Sequence, residues 1–384
     1  MKTGLDVLAA EGFARLKGKK VGLVTHPPAA LADGTPAIEA LRAGGVKVAA
    51  LFGPEHGVRG DVPAGKWIAS YTDSKTGLPV YSLYGKTKVP TPEMLKGLEL
   101  LVFELQDIGC RSYTYLSTLG CVLEGAAKVG LPVLVLDRPN PLGLARVEGG
   151  PVQKGFTSFV SKYPLAYRHG MTLGEVGKML IGKGWLAGGA QPTLSVLACQ
   201  GLSRTDSGWD ARRWIPTSPN IPTLRAARLY AATGILGELD CIAIGVGTDD
   251  PFGYVGSPTL SATKLAKALE KHAVAGFAYT AASFTPSRGL FTGQKCQGVR
   301  LIPQKGPESE WTRPNFALLA ALRDAGVVRP FSPGEPTQMF DYSCGTDAVR
   351  RAFNRGAGSA ELWAEFQQGA VNFEKERAPF LVYT

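Results

Sequence analysis

Short apolar runs rich in β-branched residues punctuate the first part of the chain. VGLVT (21–25), VKVAALF (46–52), LELLVFEL (98–105) and LPVLVLD (131–137) are apolar at nearly every position. A strand with one wet face alternates, whereas a strand buried on both faces reads as a continuous run. Between these runs lie helical patterns over 35–43, 93–97 and 117–129. Strand–helix alternation predicts an α/β fold, a parallel sheet covered by helices. A strand over TLSVLAC (193–199) and a helix over 172–183 continue the theme, with Thr172 and Glu175 forming a T-x-x-E capping box. PTSPNIPT (216–223) breaks it, because proline fixes the backbone and removes donors. A domain boundary is placed just after it, dividing the chain into residues 1–224 and 225–384. Around and beyond that boundary, an apolar helix (224–234), a strand CIAIGV (241–246) and mixed α/β patterns ending in FLVYT are expected.

Each early apolar run ends in a polar cluster. VGLVT leads to His26. VAALFG leads to Pro54-Glu55-His56-Gly57 and then Arg59-Gly60-Asp61. LLVFEL leads to Gln106-Asp107-Ile108-Gly109, then Arg111 and Tyr113-Thr114-Tyr115. PVLVL leads to Asp137-Arg138-Pro139-Asn140. In an open parallel sheet the carboxyl ends of the strands share one edge, and ligands bind there. Any one cluster also suits a turn. Four together point to a cleft with chemistry in it.

Composition narrows the classes. The 384 residues are 45% hydrophobic and only 19% charged, which fits two globular domains. The net charge is +10, yet the basic residues are scattered and no nucleic-acid reader motif occurs, so no nucleic-acid partner is expected. A basic surface instead suits anionic substrates or solubility. Six cysteines form no C-x-x-C pair and sit mainly in apolar runs, as buried thiols of a reducing compartment would. The N-terminal segment lacks a signal-peptide core, and no run of about 18 apolar residues exists to span a membrane. A soluble, cytoplasmic protein is expected, with export behind a trimmed leader still compatible. Nothing in the chain specifies an oligomer. G-x-G-x-x-G, the P-loop and G-x-S-x-G are absent, which argues against a dinucleotide, a nucleoside triphosphate and an esterase. His26, His56 and His169 could meet at the cleft and hold a metal, but no H-x-H or H-E-x-x-H spacing supports one. Hydrogen bonding to substrate is the preferred histidine role.

At these residues the chain resembles the NamZ-like exo-β-N-acetylmuramidase family. The similarity runs through LFGPEHGVRGD (51–61), TGLPVYSLYG (76–85), FELQDIGCRSYTYLSTLG (103–120), VLDRPNPLG (135–143), YRHGMTLGE (167–175) and SPNIPT (218–223). The resemblance implies a Rossmann-like domain, a smaller α/β C-terminal domain and an active site in the cleft between them. It implies release of terminal N-acetylmuramic acid from peptidoglycan fragments, with no metal or organic cofactor. It makes Glu55 the natural catalytic acid and Tyr113 and Tyr115 active-site tyrosines. The chain departs from the family at His26, where an asparagine is usual, and at Glu104 within F-E-L-Q-D. It departs again where the family's S-x-G-R-G-T becomes Ala243-Ile244-Gly245-Val246-Gly247-Thr248, replacing an arginine by Val246.

Glycosidic cleavage usually needs an acid for the leaving oxygen and a second carboxylate. With Glu55 as the acid, Asp107, Asp137 and Glu148 are candidates for the second, and Glu104 a weaker one. Asp107 could equally cap a turn, and Asp137 could pair with Arg138. Attack by the substrate's own acetamido oxygen is a further route. A lactyl carboxylate calls for a guanidinium fork, offered by Arg59, Arg111, Arg138 or Arg168. Gln106, Asn140, Asn220, His56 and His169 could bind hydroxyl or acetamido groups. The expected activity is exo-glycosidic, on a small saccharide. A non-catalytic muramyl-sugar binder or sensor and a metal-dependent hydrolase are the competing readings.

Overall fold

The apolar runs become a sheet because each can be covered on both faces. In the computed structural model, which describes residues 1–63, 65–205, 214–306, 308–332 and 337–384, the first sheet has seven strands. These are β1 (Lys20–Thr25), β2 (Lys47–Gly53), β3 (Tyr71–Thr72), β4 (Pro79–Ser82), β5 (Leu100–Glu104), β6 (Val133–Leu136) and β7 (Leu194–Leu197). Their spatial order is β3-β4-β2-β1-β5-β6-β7, all parallel except β3, which runs antiparallel to β4. Without β3, this is the doubly wound Rossmann-type order, with its switch point between β1 and β5. Thr25 lies opposite Glu104 across that switch point, so the polar residues after both strands emerge side by side.

Helices cover the sheet: α1 (Gly4–Ala10), α2 (Ala37–Ala43), α3 (Pro92–Leu95), α4 (Tyr115–Lys128) and α5 (Leu173–Gly182). α4 is buried from Tyr115 to Ala126, which matches its apolar sequence. The predicted capping box opens α5: Thr172 Oγ1 accepts from Glu175 N, and Glu175 returns an acceptor to Thr172 N.

After the proline-rich segment, α6 (Leu224–Thr233) forms where an apolar helix is expected. The strand expected over 241–246 does not form. Ala243 makes a single bridge to Gly256, while Gly245 (φ 78°) and Gly247 (φ 82°) turn the chain away. Ile242 is nevertheless buried. Apolar clustering reported burial there, not a ladder. The second sheet is antiparallel and three-stranded instead. It contains β8 (Tyr254–Ser257), β9 (Phe277–Phe284) and β10 (Cys296–Pro303) in the order β8-β10-β9. α7 (Ala262–Glu270) packs on β9 and β10, and α8 (Arg313–Asp324) packs against α7. One hydrophobic core runs continuously from Phe103 of β5 through Leu119 of α4 to Phe316 of α8.

The C-terminal residues return to the first sheet. Tyr383 donates to Asp137 (2.6 Å), and Val382 N donates to Glu175 (2.8 Å). All six cysteines are free thiols. Among the described residues, no helix is long and apolar enough to cross a membrane.

Candidate active site

β2 delivers Glu55 to the carboxyl edge of the sheet, next to the switch point. The side chain is buried and held from two directions. Gly65 N donates to Oε1 at 2.8 Å, and the Thr114 hydroxyl donates to Oε2 at 2.7 Å. Thr114 is the residue from which α4 starts, so the carboxylate links the loop after β2 to the helix after β5. His56 sits in the left-handed region (φ 73°), which for a non-glycine residue costs about 1–3 kcal/mol. That turn persists because the His56 ring nitrogen Nδ1 donates to Val62 O (2.7 Å) and Val62 N donates to His56 O (3.3 Å). Tyr84, just past β4, lies beside Glu55. Burial and the Glu55 charge push its phenol up to about 12, so Tyr84 stays protonated beside the carboxylate.

The switch-point crevice holds a directed chain of hydrogen bonds. Gln106 N donates to His26 Nε2 at 2.7 Å, which leaves the proton of a neutral ring on Nδ1. Nδ1 then faces the Tyr115 hydroxyl at 3.3 Å, and that hydroxyl donates to Thr217 O at 2.9 Å. Burial holds the His26 imidazole well below its usual range, with the Arg138 charge adding to the effect. A neutral His26 is what this chain requires. It anchors the segment 217–220 over the carboxyl edge.

Three buried polar atoms after β5 and in the loop before α5 make no close hydrogen bond among the described residues: Asp107 Oδ1, His169 Nε2 and Tyr113 Oη, the last with only the Thr217, Tyr115 and Ser218 hydroxyls as loose neighbours. Tyr113 packs edge-on against Tyr115 with ring centres 4.7 Å apart, and burial pushes its phenol upward. Asp107 does make the turn bond expected of it, accepting from Gly109 N at 2.7 Å, but only through Oδ2. His169 accepts from Met171 N at 3.2 Å through Nδ1, so Nε2 carries the hydrogen and stands 3.7 Å from Asp107 Oδ2. Buried polar groups are rarely left open. These three atoms suit a polar ligand.

Several expected ligand residues are committed elsewhere. Arg111 is fully buried and donates to Ser161 Oγ and to the carbonyls of Gly150, Leu165 and Ser343. It ties the lobes together, and burial lowers its guanidinium to about 10. Arg168 pairs with Glu148, which also accepts from Trp311 N, Thr312 N and the Thr312 hydroxyl. Asp137 does not pair with Arg138. It accepts from the Thr172 hydroxyl, Gly174 N and Tyr383, and burial raises its carboxyl to about 6. Arg138 binds Glu104 (2.5 Å) and Gln106 Oε1 (2.9 Å), and Gln106 donates to the Asp107 and Pro139 carbonyls. Asn140 bonds Met171 O and Leu142 N. It lies so close to Gly109 (φ 85°) that a Cβ there would meet its Oδ1 at 2.1 Å. These side chains are engaged in turn and seam bonds within the protein.

Arg59 forks onto Asp73 at 2.7 and 2.8 Å, but 32% of its side chain stays exposed, against 9% for Arg138 and 1% for Arg168. It also lines, with His26, Ile38, Leu51 and Val58, a hollow of about 240 Å³ beyond the end of β1. Asn220 accepts from Arg288 Nε (3.2 Å), and Arg288 also donates to Pro219 O (2.5 Å), so the second lobe braces the segment over the site. Val246 is half-buried near Gly289, beside that arginine. His26, His56 and His169 each serve a different local bond, and no metal-ligand cluster occurs among the described residues.

Sequence reasoning missed Thr114, Tyr84 and Gly65 as partners of Glu55, and Thr217 as the acceptor for Tyr115. Thr114 stood between the two tyrosines singled out, and Tyr84 closed a quoted segment. Gly65 carries no signal, since it acts through its backbone.

Comparison with known proteins identifies the family. Residues 21–225 match the family described as exo-beta-N-acetylmuramidase NamZ, N-terminal, and residues 228–383 match its C-terminal counterpart. The chain is 36% identical to the peptidoglycan beta-N-acetylmuramidase NamZ of Bacillus subtilis (strain 168), over 100% of this chain and 91% of that protein. Crystal structures of two DUF1343 family proteins from Bacteroides fragilis NCTC 9343 share the fold. Their TM-scores are 0.91 and 0.80 and their identities 36% and 26%, each covering 100% of this chain and 99% of the other. The chain therefore belongs to the NamZ exo-β-N-acetylmuramidase family.

Proposed function

We propose that the protein is an exo-acting glycosidase that releases N-acetylmuramic acid from the non-reducing end of peptidoglycan fragments. The observation that carries this reading is the Glu55 corner: a buried carboxylate held by two donors, beside three open polar atoms. Glu55 is the general acid for the leaving oxygen. Asp107 is the second carboxylate, because its Oδ1 is open whereas Asp137 and Glu148 are saturated by protein donors. It acts on the anomeric centre or orients the acetamido group. Tyr113 and His169 bind the sugar through Oη and Nε2. Arg59 is the arginine with reach to the lactyl carboxylate, and the net charge of +10 favours anionic fragments. The two-lobe division is placed at 224/225, where α6 begins.

Incubating the full chain with N-acetylmuramyl-N-acetylglucosamine and weighing the products by mass spectrometry tests the reading. Free N-acetylmuramic acid and N-acetylglucosamine are expected. A chain capped by glucosamine at the non-reducing end should remain intact. An untouched muramyl disaccharide, or cutting inside longer chains, would overturn it.

A further inference from the structure

Aromatic rings outside the catalytic corner gather along one side of it. Trp67 is 60% exposed, on the same loop whose Gly65 N–H holds Glu55. Its indole lies against Gly85, where a Cβ would come within 2.0 Å of Nε1. Gly85 follows Tyr84, whose hydroxyl feels the Glu55 charge. The Tyr84 ring stands 5.8 Å from that of Phe159, which comes from the loop before α5. The Lys88 ammonium caps this pair, 4.1 Å from the Phe159 ring centre and 5.6 Å from that of Tyr84. Three rings from three separate loops thus border the corner: Tyr84 beside Glu55, Phe159 against its ring, and Trp67, open to solvent, against the adjoining Gly85. Exposed Lys66, Lys86 and Lys88 flank these rings. A tryptophan this open contributes little to a core, and an aromatic strip rimmed by cations suits an amphipathic, anionic ligand.

We propose that this strip is the platform for the aglycone side of the glycan, a deepening that rests on the glycosidase reading above. An exo enzyme holds one sugar on the non-reducing side of the scissile bond. A surface leading outward from the acid therefore faces the departing chain. The apolar C–H face of a departing pyranose lies on Trp67, the solvent-exposed ring of the set. Lactyl or stem-peptide carboxylates of the departing chain face Lys66, Lys86 and Lys88. The strip sets a preference for oligomeric fragments over small muramosides.

The test compares Trp67→Ala with wild type on two substrates: N-acetylmuramyl fluoride, which has no sugar on the leaving side, and the muramyl-terminated tetrasaccharide. For the tetrasaccharide, kcat/KM should fall about tenfold, mostly through KM, while the fluoride changes less than about twofold. Trp67→Phe should recover most of the loss. Equal losses on both substrates, or an unchanged tetrasaccharide, would overturn the platform while leaving the glycosidase reading intact. Wild-type protein that cleaves neither would overturn both.

Discussion

The Glu55 corner and the Glu148–Arg168 seam are made of the same ingredients, carboxylates and arginines buried at the edge of one sheet. They differ in how the carboxylates are treated: Glu148 is saturated by protein donors even though Ser309 Oγ beside it makes no hydrogen bond, whereas Asp107 keeps one oxygen without a partner. At the seam, Glu148 accepts from Arg168, Trp311 N, Thr312 N and the Thr312 hydroxyl, and neighbouring Arg111 reaches three carbonyls and a serine. At the corner, Glu55 is held on both oxygens, yet Tyr113 Oη, Asp107 Oδ1 and His169 Nε2 stay open. Each open buried atom costs about 1–3 kcal/mol. A fold tolerates that where a ligand completes the bond. The seam joins two lobes, and the corner is the proposed sugar site.

Substitutions on the two sides should separate activity from stability. The largest effect is expected at the corner. Glu55→Gln removes the transferable proton but keeps an oxygen for Gly65 N, so kcat should fall roughly 10³-fold or more while the melting temperature moves little. Steady-state kinetics on a muramyl disaccharide beside a thermal melt checks both halves. Wild-type turnover in this variant would remove Glu55 from the acid role. At the seam the pattern should reverse. Glu148→Ala strands Arg168 and the Thr312 donors in the interior, so unfolding free energy should drop by about 3 kcal/mol or more. Activity per folded molecule should stay close to normal. Urea unfolding with folded-fraction correction decides it, and a stable but inactive variant would make the seam a site.

The sequence carried the layout better than the assignments. Continuous apolar runs announced the core strands, and the polar clusters after them do gather at one edge of the sheet. What it could not separate was corner from seam. Asp137 and Glu55 both follow a buried strand, but the partners of Asp137 are Thr172 and Tyr383, 35 and 246 positions away. Such saturation comes from tertiary contacts and leaves no local trace. The missing strand at 241–246 has a local cause instead, since Gly245 and Gly247 turn a run that is otherwise apolar enough to pair. The donors to Glu55 split along the same line: Thr114 is a side chain with a signal, Gly65 a backbone amide without one.

The smallest effect should come from acids that lie beside the corner without belonging to it. Burial lifts Glu104 to about 6 even with Arg138 alongside, and it lifts Asp137 to about 6 as well. Both exceed the ordinary values of 4.5 and 3.8 that describe the unfolded chain. Between those limits the native state holds protons that the unfolded chain has released, so stability rises as pH falls from 7 towards 5. Near pH 5 each group should contribute about 1 kcal/mol relative to pH 7. Further acidification reverses the trend. Burial works to raise Asp250, but Arg225 and Arg300 outweigh it and hold the carboxyl low, so that contribution is lost as pH drops below the unfolded value. A stability maximum at about pH 4, around the unfolded values of these acids, is therefore expected from urea titrations. Glu104→Gln cannot take up the proton, so about 1 kcal/mol of the rise from pH 7 to 5 should vanish, whatever its effect on absolute stability. The pH profile of turnover should keep its position in this variant, because the proposed acid is Glu55 in the corner. A profile that moves with Glu104 would join the two regions electrostatically and dissolve the distinction between them.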